Sequence, residues 1–92
     1  MILLATYDLH NPGRDYEKVK RVLETARSHQ HPMGSVWLLD TSRPPAKWRD
    51  LLTKATDGND EFFIVQLRKH WASDHLDAAA VTWLKDPARS WT

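Results

Sequence analysis

The chain has 92 residues, 41% hydrophobic and 27% charged, close to ordinary globular values, so neither disorder nor a membrane span is expected. Thirteen Lys and Arg against 12 Asp and Glu leave a formal net charge of +1, without the basic excess usual in proteins that grip phosphate backbones. The absence of cysteine excludes disulfides, thiol catalysis and thiolate metal sites.

The first element is an apolar strand, Ile2-Leu3-Leu4-Ala5-Thr6-Tyr7, which delivers the carboxylate of Asp8 at its end. The turn formers His10-Asn11-Pro12-Gly13 follow, so Asp8 stands at a strand-to-loop corner where a rigid sheet presents a polar group. An Asp in that position reads either as a turn former or as a ligand for metal or substrate. From Asp15, a candidate N-cap, to Ser28, apolar Tyr16, Val19, Val22, Leu23 and Ala26 are spaced as one face of a helix. Arg14, Lys18 and Arg21 fall along its polar side, either as a solvated face or as phosphate contacts.

His29 to Gly34 break that helix, and Ser35 to Asp40 read as a second strand. Thr41-Ser42-Arg43-Pro44-Pro45 open a second helix running to about Ala55, with Trp48, Leu51, Leu52 and Ala55 on one face. After Asp57-Gly58-Asn59-Asp60 comes a third strand, Glu61 to Leu67. A last helix spans about Ser73 to Leu84 and closes before Pro87.

This alternation in one short domain predicts an α+β sandwich of ferredoxin-like type, βαββαβ, with an extra C-terminal helix. Its fourth strand has room only around Gln30 to Gly34 and is expected to be abbreviated. Residues 1–70 form the expected ferredoxin-like core and 71–92 a helical tail. With no long apolar run and no basic leader, a cytoplasmic protein without a membrane partner is expected.

In order and spacing, the strand ending Tyr7-Asp8, the segment Gly34-Ser35-Val36-Trp37 and the segment Asp60-Glu61-Phe62-Phe63-Ile64-Val65 resemble a known family over roughly residues 2 to 67. It is the small CRISPR-associated subunit of the spacer-acquisition complex, the second CRISPR-associated protein family, whose wider circle includes the ribonuclease toxins of the virulence-associated protein D group. The resemblance implies a ferredoxin-like domain in a symmetric homodimer, with the two Asp8 carboxylates near one another and holding magnesium. It thereby implies a magnesium-dependent endonuclease acting on RNA or DNA. The chain departs from the family at His29-Gln30-His31-Pro32-Met33-Gly34, where a basic, glutamine-containing run is usual, and in its tryptophan-bearing tail.

Other candidates are weaker in pattern. His10, two residues after Asp8, is placed to act as an acid or base beside it. His29 and His31 make a His-x-His pair that binds zinc only with a third ligand from elsewhere, and otherwise reads as a polar loop. Of five tryptophans, Trp48 and Trp83 fall on apolar helix faces, while Trp71, Trp83 and Trp91 mark the tail as a candidate protein interface. No Ser-His-acid spacing or glycine-rich phosphate loop is present. Two functions stand side by side: a nucleic-acid-binding magnesium endonuclease built on Asp8, and a non-catalytic interaction module in which the tail and sheet edge bind a partner protein. The second would suit a phage or mobile-element protein acting on a host protein.

Overall fold

Strand β1 runs over Ile2–Asp8, helix α1 over Pro12–Leu23, β2 over Ser28–Met33 and β3 over Val36–Asp40. They are followed by α2 over Pro45–Ala55, β4 over Glu61–Gln66 and α3 over Ala78–Lys85. The computed structural model describes residues 1–56 and 58–92. The four strands form one antiparallel sheet in the order β2-β3-β1-β4, the arrangement of a ferredoxin-like α+β fold.

Strand alternation divides the side chains between two faces. Leu3, Ala5, Trp37 and Leu39 point to the helix layer and pack with Val19 and Leu23 of α1 and Trp48 and Leu52 of α2. Ile2 and Leu38 point to the other face, where Trp83 and Leu84 of α3 cover them, with Trp71, Leu76 and Trp91 packed around. The tail is thus a third layer over one end of the sheet. Asp40 fixes it there: buried at 1% exposure, its carboxylate accepts from Arg27 Nη2 at 2.8 Å and from the Ser90 N–H at 3.2 Å. Arg89 Nη1 lies 3.5 Å away, and its guanidinium stacks over the Trp83 ring at 4.6 Å.

Four boundaries differ from the sequence reading, those of α1 and β2 for local reasons. Helix α1 begins at Pro12, whose fixed φ suits the first turn and whose missing N–H would have had no partner there. Asp15 is therefore not the N-cap. It lies buried inside the first turn, where Arg14 Nε at 3.1 Å and Lys18 Nζ at 4.0 Å offset its charge. The helix ends at Leu23, where the N–H groups of Thr25 and Ala26 donate to carbonyls only three residues back, and the chain is free to enter β2 at Ser28. The fourth strand is consequently six residues long and not abbreviated, and Pro32 is tolerated because β2 is an edge strand with a bulge between Gln30 and Met33. The third helix starts at Ala78, five residues later than the spacing predicts. Gly58, at φ +87°, makes a left-handed turn before β4 that other residues adopt only with strain.

Candidate functional site: an acidic corner of the sheet

The register of β1 on β4 builds the corner. Leu3 faces Gln66, Ala5 faces Ile64, and at the far end Asp8 faces Glu61. The Leu67 N–H donates to the Ile2 carbonyl at 2.8 Å, which fixes the phase of the ladder. Because hydrogen-bonded and non-hydrogen-bonded pairs alternate, Asp8 and Glu61 belong to the hydrogen-bonded set, with α-carbons about 5.5 Å apart. Both side chains are exposed, on the sheet face opposite α1 and α2.

Two like charges facing one another across a ladder weaken a sheet. Neither residue is needed there for packing, so the pair is a local conflict of the kind that marks a functional site. Asp60 adds a third carboxylate close by, although it serves the loop: its Oδ1 accepts the His10 N–H at 2.6 Å and ties the segment after Asp8 to the start of β4. The His10 side chain is exposed beside this tie. A shallow cleft lined by Thr6, Tyr7, Asp8, Glu61, Phe62 and Phe63 borders the pair. Hard cations such as magnesium accept one or two carboxylates together with water and phosphate oxygens, so the donors fit that class of ion. Among the described residues no group of three or more His, Cys, Asp or Glu is placed to hold a metal ion, so the corner offers two carboxylates at most.

The basic residues of α1 are partly occupied. Arg14 and Lys18 are about half exposed, at 51% and 48%, and both lean on Asp15, while Arg21 is exposed further along the helix. His29 and His31 do not point into a metal site. They pack against Trp37, His31 stacked at 4.3 Å between ring centroids and His29 tilted at 5.8 Å. The Trp37 indole N–H donates to the Tyr7 hydroxyl at 3.2 Å. Burial pushes the Tyr7 phenol above its usual range, the Trp37 hydrogen bond pulls it back, and nearby Tyr16 adds to the rise. Trp83 is 8% exposed and donates to Ser28 Oγ at 2.8 Å, and Trp71 and Trp91 are half-buried in the same cluster.

Glu61 was not singled out by sequence reasoning. Its signal was present as an acid at the start of the last strand, which becomes a partner of Asp8 once the two strands pair antiparallel at this register. Comparison of the chain with protein-family models, with curated proteins and with solved structures gave no match. The fold is an α+β sandwich, and among its described residues no helix is long and apolar enough to cross a membrane.

Proposed function

We propose that the chain binds a divalent cation, magnesium by preference, at the Asp8–Glu61 corner and acts there on the phosphodiesters of RNA or DNA. The observation that carries this reading is the facing of two exposed carboxylates on neighbouring strands, which costs the sheet stability unless a cation offsets their repulsion. The resemblance to the small CRISPR-associated subunit and its ribonuclease relatives implies the same ion at Asp8. Here the second carboxylate, Glu61, belongs to the same chain, so the site does not require two copies of Asp8 to meet.

In this reading Asp8 and Glu61 hold the cation through oxygen. His10, exposed two residues on, exchanges protons with the reacting group. Arg14, Lys18 and Arg21 lie on α1, across the sheet from the two carboxylates, so any phosphates they contact are distant from the cation. A bound magnesium ion neutralises phosphate charge and acidifies a water. The test is cleavage of RNA and DNA by the purified chain with magnesium and with chelator, comparing wild type, Asp8→Ala and Glu61→Gln. Magnesium-dependent cleavage abolished by Asp8→Ala is expected; intact nucleic acid under all conditions would overturn the catalytic claim.

The competing reading, an interaction module, draws on a different observation. Trp83 is buried within its own chain, whereas Phe63 on β4 is 65% exposed. An interaction surface centred on the β4 edge therefore has better support than one centred on the tryptophans.

A further inference from the structure

The tail forms one side of a second concavity, away from the acidic corner. A cleft of about 590 Å³ opens between the loop after β4 and the C-terminal end of α3, a volume within the range of small-molecule sites. Two kinds of group meet in it. Val81, Leu84, Trp71 and Trp91 supply apolar and aromatic surface, and Lys69, Lys85 and Arg89 supply positive charge.

Most of these groups are unspent within the fold. Trp37 donates its indole N–H to Tyr7 and Trp83 donates to Ser28, whereas Trp71 and Trp91, half-buried, make no such bond among the described residues and keep their N–H groups open to solvent. Lys69 and Lys85 are exposed and have neither a hydrogen-bond nor an ion-pair partner among the described residues. Arg89 differs, because Asp40, 3.5 Å away, already offsets its charge, and stacking on the Trp83 ring holds its guanidinium in place. It fixes the shape of the cleft, and the two lysines give it net charge. Asp86 is the one acid among the described lining residues, and its Oδ1 accepts the Ala88 N–H at 2.9 Å.

We propose that this cleft binds a free nucleoside monophosphate, with its base on the tryptophans and its phosphate at Lys69 and Lys85. A phosphomonoester carries about −1.5 to −2 charges near neutral pH, which two free ammonium groups match and a single carboxylate does not. A purine or pyrimidine offers a flat π-face to the indoles and ring acceptors to their N–H groups. Phosphate alone would use only the lysines, and an apolar ring only the tryptophans. A strand fits less well than one nucleotide, because the flanks of the cleft are acidic: Asp74, 91% exposed, follows Ser73, and Asp86 caps the end of α3. A second phosphate would meet those carboxylates.

The cleft stands apart from the cation corner. The tail packs on Ile2, and Asp8 lies at the other end of the seven-residue β1, about 20 Å away. Nucleotide binding here needs neither the cation nor cleavage, so either can fail alone.

The test is a titration of the full chain, in chelator, with the four ribonucleoside 5′-monophosphates, followed at the backbone amides, with the matching nucleosides and inorganic phosphate as the two halves of the ligand. Saturable shifts at residues 69–73 and 84–91 are expected, with at least one nucleotide binding about tenfold or more tightly than either half. Lys85→Gln is expected to weaken binding about tenfold, and Asp86→Asn, which keeps an acceptor for Ala88 but drops the charge, to strengthen it a few-fold. Asp8→Ala should bind as the wild type does. Failure of all four nucleotides to bind, phosphate binding as tightly as they do, or shifts that Lys69→Gln and Lys85→Gln both leave unchanged would overturn the proposal. So would a single-stranded oligonucleotide that binds while the monophosphates do not, or loss of binding in a folded Asp8→Ala.

Discussion

Single residues decide how the tail is held and how the aromatic cluster responds to pH. Asp40 is the buried acceptor for Arg27 and the Ser90 N–H and the ion-pair partner of Arg89, which is itself only 11% exposed. Asp40→Ala leaves the Arg89 charge without its partner and is expected to cost about 3 kcal/mol, measured by urea unfolding; the Arg27 arm, two-thirds exposed, contributes little of that. Tyr7 gives a pH effect of defined sign. Its folded pKa is raised, chiefly by burial, so its contribution to stability is complete below the unfolded value near 10.0 and is lost as pH rises through the higher folded value. Tyrosinate absorbance should show one phenol ionising late, and Tyr7→Phe should remove that late step. Little of this was legible beforehand. Asp40 reads in sequence as the end of a strand, and only the fold brings Arg27 and Arg89 to it from either side.

At the scale of elements, the strong apolar patterns located three strands and all three helices, and local chemistry moved their ends. The Asp15–Ser28 periodicity was real, since Val19, Leu23 and Ala26 all enter the core, but Ala26 reaches it from a turn rather than from a helix. The fourth strand was hard to see because His29, His31 and Pro32 suit an exposed edge and carry no alternating apolar code. The tail could be read as a helix, yet its docking over Ile2 and Leu38 depends on contacts far apart in sequence. Trp83 is the main anchor, filling that face and donating to Ser28. Trp83→Ala is expected to cost about 3–5 kcal/mol in chemical denaturation, with Ser28→Ala costing about 1 kcal/mol. Equal losses in the two variants would mean that the hydrogen bond, rather than the packing, holds the tail.

For the whole molecule, the sheet presents one covered end, where the tail sits, and one open end, where Asp8 faces Glu61. Asp8 was legible from the first strand and its turn, because a carboxylate at such a corner is conspicuous. Glu61 was not, because register is a property of two strands and cannot be read from either alone. If the corner exists for a cation, Asp8→Asn should relieve repulsion and leave the thermal midpoint unchanged or slightly higher, while removing the ion's effect. The most direct measurement is a magnesium titration of the full chain followed at the backbone amides, with Asp8→Asn alongside. Saturable shifts confined to residues 8–10 and 60–62, absent in Asp8→Asn, are expected. Shifts spread evenly over exposed carboxylates, or equal in the two proteins, would contradict a cation site at this corner.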